Sequence, residues 1–359
     1  MKLLDRYVLA EFVGFLLLGL FGLVSIILVV DVIEKIDVFL DNHATLGLIG
    51  AYYAFRTPEV LVRSLPVALL LATFLALGQL NKFGELTAMR ASGLSLLRIL
   101  LPVFGVAAVC ALATLALSEV IVPAANQRRD RIYDEEIQHV HREVVTERSD
   151  VTYLGQGGRI FYMRLYLIRE RRMHEVTLQE FRRGELMRRI DAAEASWEDG
   201  RWVFSSGVLR TFENGHEVAR PFTRLAVTGI AEDPDDFAKQ DLQPGEMNYF
   251  ELAAYVARLR SSGARVANYL VDLHLKLAFP LINLIVVVIG ASLATRLRMQ
   301  SAALGFGFSA AISFLYYLLM RASQALGYNG VLSPYVAAWL GDATFGLVAL
   351  AMFTQAQRR

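Results

Sequence analysis

Few residues in this sequence have the types and spacing that catalysis needs. His174-Glu175 begins the pattern with which metalloproteases bind zinc, but Leu178 occupies the position of the second histidine and the stretch is predicted as a strand. His139 and His141 lie in a charge-rich segment, which indicates a solvated surface. The chain has no Gly-Lys-Ser/Thr loop for phosphate, so we expect no ATP hydrolysis and no cofactor or metal in this chain itself.

One ionisable residue falls inside a strongly apolar stretch. Asp342 follows Gly341, which is half of the pattern of an intramembrane aspartyl protease, but no second aspartate lies at comparable depth in another apolar run. A charged residue at such a position normally faces a partner, water or a transport pathway. Arg321 could pair with Asp342, or each side chain could reach another polar neighbour.

The stretch 81–93 has the features of a docking segment at a membrane surface. It is short and charged, and it lies between two apolar runs, Glu59–Leu80 and Leu94–Pro123. Gly93 suits the end of a helix and Ser95 could cap the next one. Three apolar side chains have helical spacing: Phe83, Leu86 and Met89. We interpret this stretch as a point where a partner pushes on two spans; the alternative is a turn that only joins them.

Membrane spans must position these residues. The 359 residues are 55% hydrophobic with a mean hydropathy of +0.41, which is too apolar for an ordinary soluble protein. Pro58 and Pro334 are predicted at span starts, and Pro280 predicts a kink in the fourth span. Six apolar runs match the ~20 residues that cross a bilayer: Phe12–Val30, Glu59–Leu80, Ile99–Val122, Leu273–Ala294, Ala302–Ser323 and Pro334–Phe353.

The total charge and the cysteine content exclude several classes of protein. The net charge is +1, so no basic footprint for a nucleic acid is present. Cys110 is the one cysteine and lies in an apolar run, so a disulfide within the chain is excluded and a small buried side chain is expected. We interpret the first apolar run as an uncleaved span rather than a signal peptide, because no small-residue cleavage site follows it.

Basic residues predict that both termini and the 81–98 segment are cytoplasmic. The short outer segments hold mainly Lys35 and Arg56 and are rich in acids. The inner segments hold nine basic residues: Lys2, Arg6, Lys82, Arg90, Arg98, Arg296, Arg298, Arg358 and Arg359. The long polar insert at about 124–267 is therefore predicted outside the cytoplasm.

The insert reads as a small β domain of the sandwich or jelly-roll type. Asp199-Gly200 and Asn214-Gly215 are hairpin dipeptides, and Arg183-Gly184 marks another turn. A helix, Tyr249–Ser261, is predicted to follow and to stop at Gly263. The strands are predicted at Thr152–Leu154, Ile160–Leu167, Glu175–Phe181, Leu186–Trp197, Trp202–Phe212 and Thr223–Val227.

Five basic residues near the outer ends of the spans could hold an anionic lipid head group: Lys35, Arg56, Arg63, Lys276 and Arg321. Each one singly could instead extend along the span to the membrane surface. Asp272 stands one helical turn before Lys276, so a local ion pair competes with a ligand role there.

The whole chain resembles the LptF/LptG permeases of lipopolysaccharide export. The resemblance rests on four motifs in order along the chain: Leu4-Asp5-Arg6-Tyr7, the segment Glu85 to Gly93, Val122-Pro123-Ala124-Ala125-Asn126, and the segment Leu273 to Pro280. Stretches such as Trp197-Glu198-Asp199-Gly200-Arg201-Trp202 and Pro234-Asp235-Asp236-Phe237 favour the LptG branch.

The resemblance implies an α-helical membrane protein with six transmembrane helices in a 3+3 layout and an inserted periplasmic β-jellyroll-like domain. The expected regions are 1–123 with three spans, 124–267 with the β domain and a connecting helix, and 268–359 with three spans. It also implies the bacterial inner membrane, a heterodimer with an LptF-like permease, a cytoplasmic LptB-like ATPase dimer that uses ATP and Mg²⁺, and a membrane-anchored, LptC-like jellyroll protein. Lipopolysaccharide would be moved from the inner membrane to a periplasmic bridge.

In this family the segment matching 81–93 is a coupling helix that docks in a groove of the ATPase. Glu85 occupies its acidic position, and Leu86, Met89 and Arg90 are its helix neighbours. A carboxylate there can accept a charge-assisted hydrogen bond from an arginine of the ATPase, while Leu86 and Met89 would fill an apolar groove. The sequence departs from its relatives after the first span, where Lys35 is the only base in 31–37.

Two other classes of function compete with lipid transport. A scaffold or mechanotransmission subunit would couple an ATPase to periplasmic partners without moving lipid, although such proteins usually have four spans. An intramembrane enzyme would depend on Asp342. Lipid crosslinks to the first and fifth spans would distinguish transport from a scaffold, and loss of function in Asp342→Asn with intact assembly would favour the enzyme.

Overall fold

The computed structural model of the chain describes residues 3–138, 147–155, 157–182, 185–213, 216–227, 229–230, 232–238, 243–261, 266–297 and 301–357. The chain divides into two compact units. One comprises Met1–Gln138, Pro244–Tyr249 and Ala267–Arg359, and the other comprises His139–Gln243 and Phe250–Val266. Helical structure continues to Ile137, beyond the boundary expected at residue 124.

The first three spans are longer than the apolar runs that predict them. They begin with α1 (Leu3–Asp41) and α2 (Leu46–Lys82), and the short helix α3 (Glu85–Ala91) follows. The third span joins α4 (Leu96–Ala116) and α5 (Val122–Arg131), with π-helical turns at Leu117–Ile121 and Ile132–Ile137. About 20 residues cross a bilayer, so α1 and α2 extend beyond the apolar layer.

Pro58 does not start a span, so that prediction is wrong. α2 begins earlier, at Leu46, and continues through both Pro58 and Pro66. A membrane helix tolerates an internal proline where packing and nearby polar groups compensate for the missing N–H. Beside Pro58, the Thr57 hydroxyl donates to the carbonyl oxygen of Tyr53 at 2.7 Å.

Six antiparallel strands confirm the inserted β domain, and each strand pairs with its neighbours along the chain. A single sheet in sequential order results, as in a meander. The bounds are β1 (Glu147–Leu154), β2 (Arg159–Leu167), β3 (Arg172–Arg182), β4 (Glu185–Glu198), β5 (Arg201–Glu213) and β6 (His216–Val227). Two helices and a 3-10 turn follow: α6 (Pro234–Ala238), the turn Pro244–Glu246, and α7 (Tyr249–Ser261) as predicted.

The core of the β domain is built by side chains in register across the sheet. Phe161 faces Leu178, and Leu178 faces Ile190, and all three side chains are fully buried. Phe237 of α6 is also fully buried and packs against the Trp202 ring with centroids 5.5 Å apart. Cross-strand apolar pairs of this kind stabilise a sheet and fix its register.

Turn residues account for the hairpins of the β domain. Asp199 and Gly200 both have positive φ angles, 48° and 76°, as a two-residue hairpin turn requires, and the turn is confirmed. β6 starts before the predicted Thr223 and includes Pro221, which is tolerated because β6 pairs only with β5 at the sheet edge. The turns at Arg183-Gly184 and Asn214-Gly215 and the helix stop at Gly263 lie outside the described residues.

The last three spans confirm the other proline predictions and complete the 3+3 fold class. α8 (Ala267–Ala278) and α9 (Ile282–Arg296) are separated by a 3-10 turn at Phe279–Leu281, which contains Pro280. α10 (Ala302–Tyr328) follows, and α11 (Pro334–Gln357) begins with its proline. Among the described residues, six segments are long and apolar enough to cross a membrane.

The core of the helical unit is centred on α2. Leu69, Leu70 and Phe74 of α2 are buried, and side chains of α1, α4 and α9 pack into the same core. α1 and α10 instead expose many large apolar side chains, including Phe21 and Phe314. Exposed apolar surface on a span is covered by lipid or by another membrane protein.

Candidate coupling segment and lipid site

Helix α3 lies within the 81–93 stretch, and the local signals predicted around it are confirmed. Glu85 is in its first turn, where the helix dipole favours a carboxylate. Gly93 has a φ of 88°, a left-handed conformation that glycine adopts without strain. The Ser95 hydroxyl accepts a hydrogen bond from the backbone N–H of Arg98 at 3.3 Å and caps α4.

The apolar side chains of α3 pack against its own bundle, and their contact with a groove of a partner stays a prediction. Leu86 is only 4% exposed and belongs to the core of the helical unit, and Met89 packs against the same core. Their helical spacing places them on the inward side of α3. Phe83, just before the helix, is 65% exposed, and Arg90 is exposed.

Contacts that sequence reasoning missed attach this segment to the start of α1. The Tyr7 hydroxyl donates to Oε1 of Glu85 at 3.1 Å. Arg98 donates through both terminal nitrogens to Asp5, at 2.8 and 3.0 Å. Asp5 and Tyr7 belong to the first motif that carries the family resemblance. That motif was the one sequence feature that could have indicated these contacts.

A further contact attaches the segment to the fourth span. The Asn81 side-chain amide donates to the carbonyl oxygen of Ala294 in α9 at 3.1 Å. The segment therefore has direct hydrogen bonds to α1 and α9 and is continuous in sequence with α2 and α4. A displacement of α3 would act directly on α1, through the Glu85–Tyr7 bond, and on α2 and α4, through the continuous chain.

A second polar site lies about 40 Å further along α1, given the 1.5 Å rise per residue between Tyr7 and Lys35. Its centre is Glu59, whose carboxylate contacts three guanidinium groups: Arg56 at 2.6 Å, Arg63 at 2.5 Å and Arg129 at 2.6 Å. Arg56 also lies 3.6 Å from Asp31, which pairs with Lys35 at 3.1 Å. We call these residues the Glu59 cluster: Asp31, Lys35, Arg56, Glu59, Arg63 and Arg129.

Lys35 is enclosed within this cluster. Besides its pair with Asp31, its ammonium group contacts the Tyr52 hydroxyl and lies 4.8 Å from the centre of the Tyr52 ring and 5.4 Å from that of Tyr133. A cation held by a carboxylate and two aromatic rings is largely satisfied. The structure thus gives Lys35 an internal role, and its ligand role stays a prediction.

A cavity of about 290 Å³ brings together two of the predicted lipid-contacting residues, Arg63 and Arg321. The Tyr317 hydroxyl donates to the carbonyl oxygen of Arg63 at 2.7 Å and connects α10 to α2 at this point. The cavity is lined by Leu23, Ile27, Arg63, Ser64, Val67, Tyr317 and Arg321. An apolar cavity with two guanidinium groups at its wall suits an acyl chain that ends in an anionic group.

Lys276 is not among the residues that line this cavity. Its ammonium group lies 3.8 Å from Oε1 of Glu119. The carboxylate of Asp272, predicted as a local partner, accepts hydrogen bonds from Gln324 at 3.0 Å and from Tyr328.

Asp342 and Arg321 reach separate polar neighbours, the second of the two arrangements considered from the sequence. Asp342 is 6% exposed and accepts a hydrogen bond from the Tyr316 hydroxyl at 2.9 Å. Arg321 donates to the side-chain oxygen of Gln324 at 3.0 Å. No second aspartate joins Asp342 among the described residues, and no cluster of metal-binding side chains occurs within them.

The family motif at Val122 to Asn126 lies at the start of α5, and its last residue and Gln127 make contacts that explain it. Asn126 and Gln127 donate side-chain hydrogen bonds to the carbonyl oxygens of Gly245 and Glu246, at 3.1 and 2.7 Å. These bonds attach the 3-10 turn to α5.

Comparison with known proteins agrees with this architecture. The chain is 25% identical to the lipopolysaccharide export system permease protein LptG of Escherichia coli strain K12, over 97% of this chain and 96% of that protein. The LptG protein of E. coli O6:H1 strain CFT073 is similar to the same extent. The profile of the family described as lipopolysaccharide export system permease LptF/LptG matches residues 6–355. The chain therefore belongs to the LptF/LptG family of lipopolysaccharide export permeases.

Proposed function

We propose that this chain is the membrane-spanning subunit of an ABC transporter that extracts lipopolysaccharide from the inner membrane and passes it to a periplasmic bridge toward the outer membrane. The names of its relatives support the substrate, and the six spans support a transport role over a scaffold with fewer spans. The chain itself would be non-catalytic.

The attachment of α3 to α1 through Glu85, and to the helical core through Leu86 and Met89, is the observation that carries this proposal. A cytoplasmic LptB-like ATPase dimer would bind ATP and Mg²⁺ and press on α3. Glu85 would accept a charge-assisted hydrogen bond from that partner, with Arg90 exposed beside it and Phe83 offering an apolar contact. Leu86 and Met89 would transmit the force because they fasten α3 to the core.

The exposed surfaces of the helical unit support a second membrane partner. The exposed apolar faces of α1 and α10 would be covered by an LptF-like permease in a heterodimer and by the lipid that passes between the two chains. With α3 and both termini in the cytoplasm, the β domain would lie in the periplasm. There it would meet an LptC-like jellyroll protein.

Arg63 and Arg321 are the strongest candidates for contact with the lipid. Both line the cavity, and Arg63 is 57% exposed. Lys35, Arg56 and Lys276 stay in the proposed set, although their side chains are only 25%, 22% and 15% exposed. Guanidinium groups suit phosphate because they donate two parallel hydrogen bonds.

The coupling role is tested by Glu85→Ala in the complex with the second permease and the ATPase. Removal of the carboxylate deletes the bond to the ATPase, so we expect either loss of the ATPase on copurification or ATP hydrolysis that no longer drives lipid release. Both would be measured after reconstitution in lipid nanodiscs. The β domain should remain folded.

Two variants serve as controls. Thr87→Ala alters an exposed side chain of the same helix and should leave coupling intact. Tyr7→Phe removes only the hydrogen bond within the chain and should retain the ATPase. Normal lipid export by Glu85→Ala would contradict the assignment, and an equal defect in Tyr7→Phe would show that the bond inside the chain matters instead.

A further inference from the structure

Glu59 is shared by more cations than one carboxylate can neutralise. Oε1 contacts Arg63 at 2.5 Å, and Oε2 contacts both Arg56 and Arg129 at 2.6 Å. The Glu59 side chain is only 11% exposed. Water therefore contributes little to its solvation, and the three guanidinium groups take that place.

The other carboxylates nearby divide the three arginines into two kinds. Arg56 has a second carboxylate, Asp31, at 3.6 Å, and Arg129 has Asp130 at 2.7 Å. Among the described residues, Arg63 has Glu59 as its only carboxylate within 4 Å. If Asp130 is counted with the cluster, four cations (Lys35, Arg56, Arg63 and Arg129) share three carboxylates (Asp31, Glu59 and Asp130), so one positive charge is in excess.

Solvent exposure also distinguishes Arg63 from Arg56 and Arg129. The Arg63 side chain is 57% exposed, against 22% for Arg56 and 15% for Arg129. Arg63 also lines the cavity that contains Arg321. An anionic group entering this cavity would meet both arginines, and Glu59 would compete with it for the Arg63 guanidinium.

We propose that Glu59 is a positioning residue that occupies Arg63 in place of a ligand phosphate and releases it when a phosphorylated lipid enters the cavity. This inference rests on the proposed function. Arg56 and Arg129 keep Glu59 in its position while Arg63 exchanges partners. The exchange lowers affinity, because each binding event breaks one charge-assisted pair, and this favours release of the lipid after transport.

The test measures binding of phosphorylated lipid with and without the competing charge. A photo-crosslinking amino acid replaces Ile27 in the cavity wall of the full complex in nanodiscs, and the probes are lipopolysaccharide and the same molecule after removal of its phosphates. In Glu59→Gln we expect the half-saturating concentration of the phosphorylated probe to fall about tenfold, the effect of one charge-assisted hydrogen bond. ATP-driven loss of the adduct should slow.

Matched variants separate this role from a structural one. Glu34→Gln removes the same charge from an exposed position on α1 and should have no effect. Arg63→Gln should abolish the gain in Glu59→Gln. Because loss of Glu59 leaves Arg129 partly unpaired, the double variant Glu59→Gln/Arg129→Gln removes one cation with one anion, and it should fold and show the same gain.

The possible outcomes distinguish this inference from the proposed function. Unchanged or weaker binding of the phosphorylated probe in both Glu59 variants would overturn the role of Glu59 and leave the lipid site standing. A wild-type complex that forms no phosphate-dependent adduct would overturn the lipid site and this inference together.

Discussion

The carboxylates of Glu59 and Glu85 have opposite surroundings and therefore suit opposite tasks. Glu59 is enclosed by Arg56, Arg63 and Arg129 within its own chain. Glu85 accepts one bond from Tyr7, and a carboxylate can accept about four hydrogen bonds. It therefore has the capacity to accept donors from another protein.

A third carboxylate, Glu180 on β3, makes the β domain sensitive to acid. Arg188 donates to both of its oxygens at 2.8 Å, and Arg159 donates to one at 3.0 Å. Burial raises the pKa of Glu180, but the bonds from the two arginines outweigh burial and hold the pKa below its usual range. The carboxylate therefore stabilises the folded state above the unfolded pKa of about 4.3, and this contribution is lost as the pH falls through the lower folded pKa.

We predict that Glu180→Gln lowers the stability of the β domain near pH 7 by at most about 1 kcal/mol, because solvent screens the pair. The difference from the wild type should shrink as the pH falls below about 4.3. Urea unfolding followed by tryptophan fluorescence between pH 3 and 7 measures it, in a Trp339→Phe background so that only Trp197 and Trp202 report.

Glu185→Gln is the matched control, because Glu185 is exposed at the start of β4. Its stability should follow that of the wild type across the same pH range. Curves for Glu180→Gln and wild type that stay parallel down to pH 3 would contradict the role of the Glu180 ion pairs.

Local signals could be read from the sequence, whereas distant pairings could not. Ser95 and the turn at Asp199-Gly200 depend on neighbouring residues, and both predictions are confirmed. Arg129 was assigned to the inserted region, yet it bonds Glu59, 70 positions away. The packing of α5 on α2 decides that contact, and no periodicity or spacing in one sequence specifies it.

The membrane spans also show that local features can be predicted from the sequence and distant contacts cannot. Apolar runs located all six spans, because about 20 apolar residues are needed to cross a bilayer. They did not locate the helix ends, because helices such as α1 continue with polar residues to Asp41. The sequence also did not show that Leu86 packs into the core of its own chain. Periodicity identifies the apolar face of a helix but not whether that face packs against the same chain or against a partner.

Close packing of α10 against its neighbours leads to a prediction about Gly327. A Cβ atom there would lie 2.5 Å from Cβ of Ala337 in α11 and 2.8 Å from Cγ2 of Val271 in α8. A Cβ atom cannot rotate away, so α11 would have to shift. We predict that Gly327→Ala lowers the stability of the helical unit by about 1–3 kcal/mol, as overpacking usually does.

Gly307 in the same helix supplies the control, because a Cβ atom there would meet nothing within 4 Å. Gly307→Ala should be neutral or stabilising by up to about 1 kcal/mol, because alanine favours helix formation over glycine. Thermal unfolding of both variants in detergent compares them. Equal melting temperatures would show that α8, α10 and α11 do not pack as closely as described.

The same two helices connect the two candidate sites. α1 carries Tyr7 near one end and Lys35 near the other, and α2 carries Glu59 and ends beside α3. Among the spans that the structure describes, α2 is also the most buried. A push on α3 would therefore move helices that carry the Glu59 cluster, which would connect the proposed ATPase contact to the proposed lipid site without a separate relay.

This linkage requires that α3 and the end of α1 lie on opposite sides of the membrane. We predict that Asp41→Cys reacts with a membrane-impermeant maleimide in intact spheroplasts, whereas Ala91→Cys reacts only in inverted vesicles. Both positions are exposed, and a Cys110→Ser background removes the native thiol. We expect this orientation because segments rich in Lys and Arg, such as the one that contains α3, are retained in the cytoplasm during membrane insertion. Labelling of Ala91→Cys from outside would place α3 out of reach of any cytoplasmic ATPase, and the coupling role of Glu85 would fail with it.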